Sequence, residues 1–281
     1  MTKFGMHFSL WAPEWTTEAA NAAIPEAARY GLEIIEIPLF EPAKIDLDHA
    51  KSIIRDHGLQ ATASLCLPED KMAHLAPEAC SQYLFQVLDA AHHIGCSMLT
   101  GVTYSALGYK TGVPPTSREY EAVVRALKPV ARRAAELGMT FGVEPCTRFD
   151  THILNTAAQG MWLLEQIDEP NTFVHLDTYH MNVEENGFDD GIRRAAGRSP
   201  YIHLSESHRG VPGTGTVDWE LVFRTLRDTG FDGDLVIESF VSVPPQLASA
   251  LCMWRPAAPN AGAVLDQGLP YLRGLATRYG L

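Results

Sequence analysis

The sequence predicts an eight-stranded β/α barrel, one domain over residues 1–281, and three observations carry that expectation. Eight short apolar runs alternate with eight longer segments of helical periodicity. The eight units average about 35 residues each, the size of one barrel repeat. No linker or break in composition divides the chain.

The strand candidates are 4–10, 34–39, 61–67 and 98–104, then 140–144, 173–177, 201–205 and 235–240. Helix candidates fill the gaps at 17–30, 48–56, 77–94, 117–137, 156–166, 190–196, 218–229 and 262–279. Thr16-Thr17-Glu18 can cap the first helix, and Gly31, Gly58, Gly95, Gly138 and Gly230 stand where helices should stop. The proline-rich stretch 244–259 reads as a long loop before the closing helix. A doubly wound open sheet would place a glycine-rich phosphate turn after its first strand. Trp11-Ala12-Pro13-Glu14-Trp15 stands there instead, and the later Gly210–Gly215 stretch has no Gly-Lys-Ser/Thr after it, so it reads as a flexible turn.

Charge narrows the partners. With 34 acidic against 22 basic side chains, a net charge of −12 repels a phosphate backbone, so no nucleic-acid partner is expected. The densest basic stretch, from Arg125 to Arg133, reads as the solvated face of a helix. Five cysteines (Cys66, Cys80, Cys96, Cys146, Cys252) without a CxxC pair fit a reducing cytoplasm better than a disulfide framework. The N-terminal residues lack the pattern of a signal peptide, and no window is apolar enough to cross a membrane.

Chemistry enters with a polar residue near the end of each of four late strands: Glu144, Asp177, His203 and Glu238. They lie 33, 26 and 35 residues apart, about one β/α unit each. Val143, Val174, Leu176, Ile202, Leu204, Leu235 and Ile237 hold the opposite parity and should face the helices. The four polar residues should then face the interior at the C-terminal mouth, where barrel active sites form. Three carboxylates and a histidine share such a space only with a positive partner. An oxygen-rich set with one imidazole suits Mn²⁺, Mg²⁺ or Co²⁺. His7 and Glu36 also point inward by parity. His7 reads as an interior histidine or pocket wall, and Glu36 is given no role. The His92-His93 pair reads as surface.

Several longer motifs carry a resemblance. They are Trp11-Ala-Pro-Glu-Trp15, Glu144-Pro-Cys-Thr-Arg-Phe-Asp150, Leu176-Asp-Thr-Tyr-His-Met-Asn-Val-Glu-Glu185, His203-Leu-Ser-Glu-Ser-His-Arg209 and Ile237-Glu-Ser-Phe240. Over nearly its whole length the chain resembles the ketose 3-epimerases, the D-tagatose, D-psicose (D-allulose) and L-ribulose group of the xylose-isomerase-like TIM barrels. The resemblance implies one divalent metal ion, Mn²⁺ first, held by Glu144, Asp177, His203 and Glu238. It implies that Glu144 and Glu238 are also the acid/base pair: one removes the C3 proton, a cis-enediolate forms, and the other returns a proton to the opposite face. His180 and Arg209 match residues that contact O1–O3 of the sugar. Asp150 matches a glutamate that hydrogen-bonds a catalytic glutamate, here one methylene shorter. Trp15, Cys66, Leu107 and Phe240 are expected to line the pocket for the far end of the sugar. The substrate class implied is free ketoses such as D-fructose, D-psicose, D-tagatose and L-ribulose, turned over by a homodimer or homotetramer. The Met253-Trp254-Arg255 segment is expected at an interface or at the pocket rim.

Three rival readings remain. An aldose–ketose isomerase of the hydroxypyruvate-isomerase type would move a proton between C1 and C2 by the same metal logic. A barrel endonuclease would want more histidines and a basic face. A non-catalytic sugar-binding barrel would have no need of both glutamates.

Overall fold

The structure, a computed structural model, describes residues 2–241, 243 and 248–281. Nine parallel strand segments make one sheet: β1 Phe4–His7, β2 Ile34–Pro38, β3 Gln60–Cys66, β4 Cys96–Val102, β5 Thr140–Val143, β6 Thr172–Val174, β7 Leu176–Asp177, β8 Tyr201–Leu204 and β9 Asp234–Ile237. The order is β6-β5-β4-β3-β2-β1-β9-β8-β7. Since β6 and β7 are successive pieces of one extended run, the sheet closes on itself as an eight-stranded barrel. The expected strand 173–177 is thus interrupted at His175. Its backbone stays bonded on both sides, with Val174 N–H donating to Arg198 O and His175 N–H to Val143 O.

Among the described residues, the α-helices of seven residues or more are α1 Thr17–Arg29, α2 Leu47–Asp56, α3 Pro77–Ile94, α4 Ser117–Glu136, α5 Ala157–Ile167, α6 Thr178–Glu184, α7 Phe188–Arg194, α8 Trp219–Asp228 and, as α9, Leu269–Tyr279. Local chemistry sets their ends. Thr16 accepts from Ala19 N at the start of α1, and Thr116 with Glu119 forms a full capping box on α4. The glycines expected at helix ends all have positive φ, between 67° and 100°. The basic residues of α4 face outward, Arg125 to Glu78 and Arg132 to Glu169.

Three local expectations change. The first strand stops at His7, whose side chain accepts from Ser9 N and turns Phe8–Leu10 into a 3₁₀ helix. Helix α6 stands where no helix was expected. It starts directly after β7 because Asp177 itself caps it, accepting from Tyr179 N at 2.7 Å. The closing helix is entered through Ala261–Ala263 and a π-helical turn at Val264–Gly268. Of the expected proline-rich loop, positions 244–247 lie outside the described residues, and 249–259 form turns and bends.

Parity sorts the side chains as alternation requires. Val143, Val174, Leu176, Ile202, Leu204, Leu235 and Ile237 join the large core between sheet and helices. Ile34, Met98, Phe173, Tyr201 and Val236 form a separate cluster inside the barrel. Each such side chain, fully buried, is worth roughly 1.5–3 kcal/mol. Above this apolar floor the interior turns polar, with Glu36, Thr62, Thr100, His175 and His203 all at most 2% exposed. Among the described residues no helix is long and apolar enough to cross a membrane.

Candidate metal centre and pocket

At the C-terminal mouth, the ends of β5, β7, β8 and β9 carry Glu144, Asp177, His203 and Glu238, of which Glu144, His203 and Glu238 line one pocket. Asp177, His203 and Glu238 offer donor atoms within 4.8 Å of one another. Glu144 belongs to an overlapping trio with His203 and a residue the sequence reading passed over, His175. His203 is therefore the hinge of the arrangement. Its Nδ1 stands 3.7 Å from Asp177 Oδ2 and 3.9 Å from Glu238 Oε1. Its Nε2 lies 2.6 Å from Glu36 Oε2.

Glu36 is fully buried and also accepts from Tyr201 Oη at 2.6 Å. Burial alone would raise its pKa, but the charges of His203 and His7 outweigh that and hold the carboxylate far below the usual range. An ionised Glu36 takes the Nε2 proton of His203. Nδ1 is then the free ring nitrogen, and it is buried without a hydrogen-bond partner. Burial would lower the His203 pKa, yet Glu36, Asp177 and Glu238 together hold it well above normal, so the site favours positive charge at Nδ1, as a proton or as a cation in its place.

The other acids differ in environment. Asp177 is pushed far down: burial raises it, but the neighbouring His203 and the charges of His180 and Arg209 win. Ser205 Oγ also donates to it at 3.0 Å. Glu144 goes the other way, raised well above a normal carboxylate by burial, with Asp177 and Glu238 adding to the effect. Glu238 is paired with Arg209.

Around these acids the remaining expected residues take distinct places. His180 sits on α6, with Nδ1 accepting from Thr147 N at 3.1 Å and Nε2 3.6 Å from Glu144 Oε1. Arg209 adopts φ 57°, a left-handed conformation for a non-glycine residue, and its guanidinium lies 4.1 Å over the Tyr179 ring. Its Nη2 is 3.2 Å from His180 Nε2. Asp150 accepts from Thr147 Oγ1 at 2.5 Å and stands 3.6 Å from His180 Nδ1, so its shorter side chain meets the histidine side of the pocket. Cys66, Leu107 and Phe240 line the pocket with His7 and Leu251. Burial pushes the Cys66 thiol up to about 12. Trp15 instead packs on Phe8, ring centroids 4.5 Å apart, and lines an adjoining cleft that shares Pro38, Phe40 and Cys66 with the pocket. Trp254 is 80% exposed. Two inward residues went unread in the sequence: Tyr201, which shares the parity of His203, and His175, which shares that of Asp177. Alternation along their own strands was the signal that could have found both.

Comparison with known proteins agrees with this architecture. The xylose isomerase-like TIM barrel family model matches residues 24–269. An L-ribulose 3-epimerase of Methylomonas sp. (strain DH-1) is 36% identical over 278 residues, 96% of each chain. A ketose 3-epimerase of Arthrobacter globiformis is 36% identical over 262 residues, 90% of this chain and 89% of the relative. A crystal structure of D-allulose 3-epimerase from Methylomonas sp. in complex with D-allulose superposes with a TM-score of 0.92 at 35% identity, covering 97% of this chain and 96% of the other. The chain belongs to the xylose isomerase-like TIM barrels and, within them, to the ketose 3-epimerase family.

Proposed function

We propose that the protein is a divalent-metal-dependent ketose 3-epimerase acting on free ketoses of the D-tagatose, D-psicose (D-allulose), D-fructose and L-ribulose class. One observation carries the metal part of this reading: His203 Nδ1 is buried without a partner and faces two carboxylates. A buried acceptor nitrogen beside two anions is what a cation relieves, and the Glu36 contact on Nε2 is the outer-shell bond that ligating histidines make. Asp177, His203, Glu238 and Glu144 are the ligands we assign. This set, three carboxylates and one imidazole, suits Mn²⁺ first, with Mg²⁺ or Co²⁺ as substitutes. When bound, the ion supplies Lewis-acid polarisation of substrate oxygens and stabilises the negative charge that develops on them.

The rest is side-chain chemistry. Glu144 and Glu238 come from well-separated strands of the barrel, so a sugar lodged between them meets one carboxyl on each side. One, ionised, takes the C3 proton. The other, protonated, returns a proton to the opposite face of the planar enediolate and inverts C3. Which glutamate does which follows from the configuration of the sugar. His180 Nε2–H and the Arg209 guanidinium are the donors we assign to the O1–O3 edge. Asp150 accepts from the Thr147 hydroxyl and so steadies the residue whose N–H orients that ring. Cys66, Leu107 and Phe240 form the wall for the far end of the chain, and Trp15 shapes the cleft next to it.

The test is an assay of metal-stripped protein resupplied with Mn²⁺ and offered D-fructose, D-psicose, D-tagatose and L-ribulose in D₂O, followed by NMR. The expected result is metal-dependent appearance of the C3 epimer with deuterium at C3, absent in a folded Glu238→Gln variant. Deuterium at C1 or C2 with an aldose product would move the function to an isomerase. A Glu238→Gln variant keeping most of the activity would defeat the two-carboxylate assignment.

A further inference from the structure

Among the described residues, one cluster of metal-ligating side chains stands apart from the barrel mouth. His74 lies in the segment between β3 and α3, Glu119 is the third residue of α4, and His152 sits in the β5–α5 loop. Their donor atoms lie within 4.8 Å of one another. We propose that His74, Glu119 and His152 form a second metal centre, built for a zinc ion.

The first support is hydrogen-bond accounting. His74 is 7% exposed, and neither of its ring nitrogens has a hydrogen-bond partner. The His152 side chain is 8% exposed, and its Nδ1 is also unpartnered. Three orphaned nitrogens from two neighbouring imidazoles is a costly arrangement, since each buried unsatisfied group costs on the order of 1–3 kcal/mol. A cation bound here would take one lone pair from each ring, and at His74 that lone pair has no other partner.

Geometry and charge point the same way. His152 Nε2 lies 3.1 Å from Glu119 Oε1. Two ligands each about 2.1 Å from a tetrahedral zinc ion stand roughly 3.4 Å apart, so the pair is already close to that spacing. Glu119 Oε2 is held by Thr116 N and Oγ1 in the helix cap, which leaves Oε1 to face the histidines. Burial raises the Glu119 pKa, but those Thr116 bonds and His152 bring it to about 2, so the carboxylate is ionised. Tyr109 packs against both rings, at 5.4 Å and 6.1 Å between centroids, and closes one side.

Two imidazoles and one carboxylate, with a fourth position open, are a zinc donor set, whereas the mouth of the barrel offers one imidazole among three carboxylates. The position suggests its use. Tyr109 lies two residues beyond Leu107, and His152 two beyond Asp150, both on the pocket wall. A zinc ion here would pin two loops next to that wall to the first turn of α4.

The experiment counts metal on the full-length protein. Chelator-treated protein is loaded with Mn²⁺, then with Zn²⁺, desalted, and total metal per chain is measured by mass spectrometry, so exchange between centres does not change the sum. Wild type should hold two ions per chain, while His74→Leu and Glu119→Gln should each hold one and keep a native circular dichroism spectrum. Zinc should also raise the melting temperature of wild type by several degrees more than that of either variant. Zinc that stabilises all three proteins alike, or one ion per chain in wild type, would overturn the proposal. Two ions per chain retained in both variants would overturn it equally.

Discussion

At the scale of single residues, Glu36 does more than its position in the sequence suggested. It appears there as one inward carboxylate on the second strand, with no motif around it. In space it receives His203 Nε2 and the Tyr201 hydroxyl, each at 2.6 Å, and stands 3.7 Å from His7 Nε2. Accepting the Nε2–H of His203 leaves the Nδ1 lone pair turned toward Asp177 and Glu238. Glu36→Gln removes the charge but keeps the size, so the imidazole loses its tautomer preference while the barrel floor below is untouched. Outer-shell changes of this kind typically weaken metal affinity by about 10–100-fold. Calorimetric titration of the stripped variant with Mn²⁺ should show a loss in that range. An affinity within twofold of wild type would mean that Glu36 merely fills space.

Among elements, the loop from Glu206 to Trp219 shows why some of the site was hidden from sequence reading. The motif around Glu206 was visible, but nothing in it tells that this carboxylate ties the loop together. Glu206 is fully buried and spends both oxygens on donors from its own loop and the helix it leads into. Oε1 accepts from Ser207 N and Val217 N, and Oε2 from Gly213 N and Trp219 Nε1. Those bonds, outweighing burial, pull its pKa below normal. The loop they close carries Arg209, whose φ of 57° needs such support. A glutamine at 206 would turn an NH₂ group toward two donors. Glu206→Gln should therefore lose about 2–3 kcal/mol at neutral pH, as leaving buried donors unpaired implies. The sign with pH is fixed: a depressed folded pKa contributes stability above the unfolded glutamate value, and that part is lost as pH falls through the folded value. Urea melts at pH 7 and below pH 4 should show the gap between variant and wild type shrinking in acid. Equal stability at pH 7 would sink the idea. The same limit explains α6: the Asp177 cap that starts it is a local signal, but a reading of Asp177 as strand end and ligand left no place for it. His74, Glu119 and His152 are spread over two loops and the start of α4, so no spacing rule could have joined them.

For the molecule as a whole, period-two alternation and 35-residue spacing made the barrel legible, because a closed parallel sheet buries both faces and leaves little freedom in register. What that pattern could not convey is how tightly the barrel closes on itself. Gly142 lies on the inward face of β5, next to Phe173 and Thr100, and a Cβ there would sit 2.6 Å from Phe173 Cζ and clash with Thr100 Oγ1. Neither neighbour can yield easily: Phe173 belongs to the apolar floor, and Thr100 Oγ1 is bonded to His175 Nδ1 at 3.2 Å. Gly274 is the opposite case, an exposed position inside α9 with nothing within 4 Å of an added Cβ. The same substitution should then have opposite signs at the two sites. Gly142→Ala should destabilise by about 1–3 kcal/mol through overpacking. Gly274→Ala should stabilise by up to about 1 kcal/mol, because alanine gives up less chain entropy in a helix. Denaturant titrations of the two single variants measure both. If Gly142→Ala were as stable as wild type, the barrel interior would have slack that this packing denies. The polar layer directly above it, Thr100 and His175 at the base of the candidate metal centre, would then not be held by the closure of the sheet.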